Sequence, residues 1–496
     1  MNERYANENI TKFFSDEYKL ELWQKTEFAV MSARVELGLM SRRDCETIIT
    51  VLKNNPIDIE WWKRRDKEIH HDLNAFIDER VRHLEPRLHQ FFHKNITSYD
   101  TEEPAFARVL IEAANVIEPL NSNLKNALVI LATKYRYTIM NARTHGQEAE
   151  LQSFGSRVLS WLADYRVAED ALILSLKNLY FSKLSGAIGK YGSLDPEIEK
   201  IALNILGFKP YIGATQIMPR ILYAPIAQSL SNLVSVLDKI AGDIRLAARS
   251  GRPIMQEPFQ KKQKGSSAMP QKKNTIRTEQ VEGMARMARG YSSMISENIK
   301  TWEERAIEQS SVERVAWPDL FHVTAQALKV MELILSGLKV YPDNMLQEIY
   351  ESRGVYASSE AKEFLKEAGL SHEDAYRIVQ LACFNVFEPS EERLALRGNI
   401  SDSFFYAGKL LKKIGQIPQE EIISIEGFIP MANLHVSDNL DATPETVDEY
   451  NKLLKKVFIS SKAVEKWHTL FTPEFLLRNE EFLYQSTELR IEEIFE

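Results

Sequence analysis

Cysteine is nearly missing from this chain: Cys45 and Cys383 are the only two in 496 residues. They lie far apart and match no metal or redox spacing, which excludes a disulfide framework and leaves two ordinary thiols of a reducing compartment. Long apolar runs are also absent. No stretch reaches the about 18 uninterrupted apolar residues of a membrane span, and the segment Met1 to Ile10 lacks the apolar core of a signal peptide. The expectation is a cytoplasmic protein with no membrane partner. Excess positive charge is lacking too: the net charge of -8 argues against a general nucleic-acid binder, which neutralises phosphates with a basic face. No residue cluster requires a metal or an organic cofactor, and no repeat with a period of about 20 to 50 residues is visible.

Helical periodicity dominates what is present. Leu110, Ala113, Ile117, Leu120, Leu124, Ala127, Leu131 and Tyr135 recur at spacings of three and four, one face of a helix that Pro119 is expected to kink. A second stripe runs through Leu230, Leu233, Leu237, Ile240, Ile244 and Ala248. A third holds Met284, Met287, Ala288 and Tyr291, and a fourth extends from Phe321 to Leu338. These stripes read as core, and with little strand alternation they predict an all-α chain. At about 150 residues per domain the length suggests about three domains. The breaks at Thr101-Glu102-Glu103-Pro104 and Glu351-Ser352-Arg353-Gly354 give 1–106, 107–354 and 355–496, the last without a readable motif.

The densest chemistry lies at Gly265-Ser266-Ser267-Ala268-Met269-Pro270-Gln271-Lys272-Lys273-Asn274. This short loop carries two hydroxyls, a glycine, two ammonium groups and a carboxamide. A carbanion alpha to a carboxylate spreads its charge onto oxygen, so a site that makes one needs donors and cations there, roles suited to Lys272 and Asn274. Nearby positive charge and the N-terminus of a following helix favour the ionised form of a serine, making Ser266 the candidate base. From Lys261 to Arg277 there are six cations and no acid, an island suited to a small anionic substrate; a solvated basic loop is the plain alternative.

An elimination also needs a proton donor, and histidine is the usual one near neutral pH. Of ten histidines, two stand in distinctive contexts: Arg143-Thr144-His145-Gly146-Gln147 and His70-His71-Asp72-Leu73. Asp72 has two readings, a carboxylate that orients an imidazole or a helix cap.

The Ser266 loop resembles the G-S-S-x-M-P-x-K-x-N-P segment of the fumarase/aspartase superfamily, with Thr275 in place of the final proline. Other blocks resemble the adenylosuccinate lyases. The His145 context is similar to their R-T-H-G-Q-H-A-E-P, the His71-Asp72 pair to their H-D, Arg4-Tyr5 to an R-Y pair at the nucleotide phosphate, and Thr97-Ser98-Tyr99-Asp100 to T-S-x-D. Ala214-Thr215-Gln216 with Arg220 resembles S-T-Q followed by arginine. Trp302 to Arg314 is similar to W-x-E-R-D-I-S-H-S-S-A-E-R.

That resemblance implies an all-α fold of three helical domains around a central long-helix bundle, and a homotetramer with shared active sites. It implies β-elimination of fumarate from an anionic nucleotide, with no cofactor. Ser266 is then the base, His145 the general acid, His71 its support or a substrate contact, and Lys272 and Asn274 carbanion stabilisers. Arg4, Tyr5, Asp72, Thr97, Ser98, Thr144, Gln216 and Arg220 become substrate contacts, while Arg305, Ser310 and Arg314 grip phosphate. Guanidinium forks match phosphate bidentately, and these three stand about a turn or two apart if helical; surface ion pairs among Glu304, Arg305, Glu313 and Arg314 are the alternative. Departures are Asn95 for glycine, Glu148 for histidine, Leu151 for proline, Ala306 for aspartate and Gln309 for histidine. Argininosuccinate lyase is the nearest alternative, through Gln271-Lys272-Lys273-Asn274; a non-catalytic helical scaffold and an RNA-binding basic loop are others.

Overall fold

The computed structural model describes residues 1–387, 434, 436, 437 and 440–486. Helices carry the chain: α1 Glu8–Phe13, α2 Asp16–Glu36, α3 Arg42–Asn54, α4 Ile59–Ile69, α5 Asp72–Val81, α6 Ser98–Lys134, α7 Phe154–Leu176, α8 Pro196–Leu206, α9 Ala224–Ala247, α10 Ile276–Glu297, α11 Glu308–Ser336, α12 Pro342–Ser352, α13 Ser358–Glu367, α14 His372–Phe387, α15 Pro444–Val457 and α16 Ser461–Thr469. The fold is all-α. Its one extended hairpin among the described residues pairs β1 (Ile139–Thr144) antiparallel with β2 (Gln147–Ser153). The alternation expected of strands is obscured there by a register shift between Asn141 and Arg143.

Two compact units result. The first takes Met1–Asn126, Ala163–Asp243 and Lys264–Leu335, the second Ala127–Leu162, Ile244–Gln263 and Ser336–Glu496. The cut expected near residue 106 falls inside α6, which runs unbroken through Pro104 and Pro119. A helical proline forfeits one backbone hydrogen bond, and a buried apolar face outweighs that cost here: Leu110, Ala113, Ile117 and Leu124 are all buried. At the other expected break α12 stops, with Arg353 and Gly354 both at positive φ. Part of the expected third domain lies outside the described residues.

In the first unit α2 to α5 bury Leu20, Trp23, Met31, Ile48, Trp62 and Phe76, with the Trp23 and Phe76 rings edge-on at 5.6 Å. The stripes of α9 and α11 are buried as read, except that Ala248 is half-buried. On α10 Met287 is 37% exposed and Tyr291 is half-buried. Val281, Met284, Ala285, Ala288, Ser292 and Ile295 form the buried face, and Met287 falls roughly 110° around the helix from its centre. The second unit has its own core, in which Ile139 and Leu151 of the hairpin join Leu346, Tyr356, Leu365, Ile378 and Trp467. Leu151 thus occupies an apolar site that needs no proline.

Candidate active site

The Ser266 loop closes on itself just ahead of α10. The Asn274 side-chain amide donates to the Gly265 carbonyl at 2.7 Å, and the Lys272 N–H donates to Met269 O at 3.1 Å. A Cβ on Gly265 would lie 1.8 Å from the Lys272 carbonyl, so only glycine permits this approach. Inside the loop the Ala268 and Met269 N–H groups converge on Ser266 Oγ at 3.3 and 3.0 Å. Two amide dipoles aimed at one hydroxyl oxygen favour its negative form. Lys272 is exposed, and its ammonium has no partner among the described residues.

His71 caps α5. Its Nδ1 accepts the Asn74 N–H at 3.3 Å, which leaves the ring proton on Nε2, the nitrogen turned away from the helix end. Among the described residues Asp72 orients no imidazole. Its Oδ1 accepts the Leu73 N–H at 2.9 Å and its Oδ2 receives Arg314 Nη2 at 3.2 Å.

Thr97 and Ser98 start α6. The Thr97 N–H donates to Asp100 Oδ2 at 2.8 Å, one half of a helix-starting box, while the Asp100 N–H donates to the Thr97 backbone carbonyl at 2.9 Å. Asn95 takes φ 58 just before it, a conformation in which asparagine is the next best residue to glycine. Asp100 is buried against Lys183 Nζ at 2.6 Å, and that ammonium also donates to Gly186 O and Gln216 O.

Arg220, expected as a substrate contact, is instead internal. It is 4% exposed and spends four of its five N–H donors on Glu103, Met218 O and both oxygens of Glu313. An arginine after the S-T-Q-like block carries no sign of which way it faces, so the sequence could not reveal this. Glu313 is thereby removed from any surface pairing with Arg314.

Arg305 precedes α11 rather than riding on it. Its Nη1 donates to Gln216 Oε1 at 2.9 Å, and the Gln216 amide in turn donates to Ala187 O at 3.0 Å. Thr215 Oγ1 and the Gln216 N–H both bond the Glu304 carbonyl, which fastens the two segments together. Ser310 is in the first turn of α11, where its N–H donates to Ile307 O at 3.0 Å. Arg4 lies in the short turn Glu3–Tyr5, exposed, with Tyr5 half-buried.

Two residues here escaped the sequence reading. Tyr99 packs its ring under Arg305 and accepts from Gln309 Nε2 at 3.4 Å, and burial pushes its phenol up to about 12. Glu102 is pushed up to about 8 by burial, with Asp72 and Glu103 adding and Arg305 opposing. Tyr99 stood at a free position of its block, and only the acid run Asp100, Glu102, Glu103 hinted at the second.

Thr144 and His145 belong to the second unit. His145 and Gly146, at φ 52 and 79, form the two-residue turn of the β1–β2 hairpin, with Thr144 paired to Gln147. Both central residues at positive φ define the turn type whose twist matches a hairpin. His145 is exposed at its tip. The structure therefore joins Asp72 with Arg314, and Arg305 with Gln216, while Ser266, Lys272 and Asn274 share one self-closed loop.

The fold and this loop define a lyase of the fumarase/aspartase superfamily. Residues 4–290 match the lyase family model. The sequence is 37% identical over 383 residues to an adenylosuccinate lyase of Synechocystis sp., spanning 77% of this chain and 87% of that one, and 34% identical over 380 residues to the adenylosuccinate lyase of Thermotoga maritima, spanning 77% and 87%. A fumarate lyase from Mesorhizobium sp. BNC1 has the same fold, with a TM-score of 0.69 over 94% of this chain and 98% of that one at 19% identity. The chain belongs to the adenylosuccinate lyase family.

Proposed function

We infer that this carbon–nitrogen lyase cleaves adenylosuccinate to AMP and fumarate, and also splits the succinylated aminoimidazole carboxamide ribotide. The carrying observation is Ser266 Oγ held by two backbone N–H groups on a loop that also bears Lys272 and Asn274. Ser266 removes the succinyl proton, Lys272 and Asn274 stabilise the charge that spreads onto the neighbouring carboxylate, and the C–N bond then breaks as the double bond of fumarate forms. His145 gives its proton to the departing nitrogen. His71, with Nε2–H as its free donor, contacts substrate; Arg4, Tyr5, Thr97, Ser98 and Thr144 line it.

Arg305, Ser310 and Arg314 hold the phosphate, with Asp72 and Gln216 positioning the two guanidinium groups. We place the enzyme in the cytoplasm as a homotetramer. Support for assembly comes from apolar side chains left exposed on long helices, among them Val167, Leu174, Met294 and Val315. Light scattering of the purified protein reads the mass directly.

Purified protein offered adenylosuccinate, argininosuccinate, malate and aspartate should release fumarate from the first alone. Release from another substrate and not from adenylosuccinate overturns the assignment. Ser266→Ala should lower kcat by about 100-fold or more, the scale of a lost general base. An unchanged kcat removes Ser266 from the chemistry.

A further inference from the structure

Glu148 stands directly across the hairpin from Arg143 in the β1–β2 register, one pair below the turn that carries His145. Arg143 is the hub of this end. Its Nη2 reaches Glu148 Oε1 at 3.4 Å and Glu348 Oε1 of α12 at 2.5 Å, and its Nη1 donates to the Gly146 carbonyl inside the turn at 3.4 Å. Behind it, Arg252 makes a two-pronged pair with Glu351, one turn along α12, at 2.6 and 2.7 Å. Three carboxylates and two guanidinium groups thus fasten the base of the turn to a helix. Further along β2, Glu150 accepts from Ser359 and the Ser153 N–H donates to Glu480, so the strand is fixed beyond its turn end as well.

The turn needs such fastening. A side chain at positive φ costs about 1–2 kcal/mol, and His145 takes the place where asparagine or glycine is favoured. We propose that Glu148 is a positioning residue for His145: together with Glu348 it anchors the Arg143 guanidinium, which ties down the Gly146 carbonyl and fixes the aim of the imidazole. A neutral histidine at position 148, as in the resembling segment, could accept one hydrogen bond from Arg143 but could not form an ion pair with it. Burial raises the Glu148 carboxyl above its ordinary range, Arg143 opposing and Glu348 and Glu351 adding, which agrees with a group committed to this cluster rather than to solvent.

The inference rests on His145 as the general acid, and the experiment separates the two. Steady-state kinetics on adenylosuccinate are compared for wild type, His145→Asn, Glu148→Gln, Arg143→Gln and the Glu148→Gln/Arg143→Gln double variant, with melting temperature as a check on folding. Glu148→Gln should lower kcat about tenfold with KM within about twofold, the signature of a lost transition-state interaction. The double variant should be no slower than Arg143→Gln alone, because both act through one contact. Wild-type kcat in Glu148→Gln, an equal effect on KM, or multiplying effects in the double variant each overturn the proposal. If Glu148→Gln does not fold, Arg143→Lys keeps the charge but loses the fork, and should show the same loss of kcat alone. Wild-type kcat in His145→Asn removes the acid assignment itself; an inactive His145→Asn beside an unimpaired Glu148→Gln removes only the role of Glu148.

Discussion

The guanidinium of Arg305 lies 4.3 Å from the centroid of the Tyr99 ring while its Nη1 bonds Gln216. The arginine is therefore held from below by a π face and from the side by an amide, and its remaining donors meet no partner among the described residues. An arginine so fixed would surrender little side-chain entropy on binding the phosphate proposed for it.

Tyr99→Leu should raise KM for adenylosuccinate about 2- to 30-fold, corresponding to the about 0.5–2 kcal/mol of a cation–π contact, with kcat little changed. Tyr99→Phe keeps the ring and loses only the contact with Gln309, so its KM should stay near wild type. Inorganic phosphate as a competitive inhibitor gives the same ranking without the rest of the substrate. A Tyr99→Phe variant as weak as Tyr99→Leu would show that the hydroxyl, not the ring, supports Arg305.

Gly265→Ala addresses the loop. Because the added methyl meets a backbone carbonyl that no rotamer can move aside, the loop must open at its neck. The expected result is a large loss of kcat with an unchanged melting temperature, since the loop around Ser266 is mostly exposed and buries little. Circular dichroism melts beside kinetics read the two quantities separately. Wild-type kcat would mean that the neck contact is dispensable.

The buried pair Lys183–Asp100 supports the start of α6 and the Gln216 segment at once. Lys183→Met leaves Asp100 buried without its cation and should destabilise the first unit by about 3–5 kcal/mol. Adding Asp100→Asn should recover part of that loss, because the uncompensated charge is gone. Denaturant titration of the two variants checks the order; a double variant weaker than Lys183→Met would refute the charge argument.

How far the sequence reaches can be seen by comparing Ser266 with Arg220. The loop around Ser266 is local: glycine, hydroxyls, cations and carboxamide follow one another within ten residues, so spacing alone exposes the candidate chemistry. The helix stripes are equally legible, because burial repeats with the helical period. Arg220 and Lys183 are buried by partners 117 and 83 residues away in sequence, and no local pattern encodes those contacts. Arg305 lies ahead of α11, a helix start that the motif order did not mark. The His145 turn escaped as a hairpin because a bulge breaks the alternation of β1 and a His-Gly pair stands where Asn-Gly would have signalled it.

Glu102 gives the chain a pH dependence whose sign is fixed by its surroundings. Burial raises its folded value to about 8, with the Asp72 and Glu103 carboxylates adding and Arg305 opposing, while the unfolded chain titrates near the ordinary value of about 4.3. The folded state thus binds this proton more tightly. Its contribution to stability is fully present below the ordinary value and is lost as pH rises through about 8. Glu102→Gln stays neutral throughout, so relative to wild type it should gain stability as the pH is raised toward 9, read as denaturation midpoints across the series. Ionised Glu102 also sets a negative charge against Arg305, in competition with the phosphate proposed to bind there. KM for adenylosuccinate should accordingly climb above about pH 8 in wild type and stay flatter in Glu102→Gln, and parallel KM profiles for the two proteins would exclude Glu102 from the phosphate site.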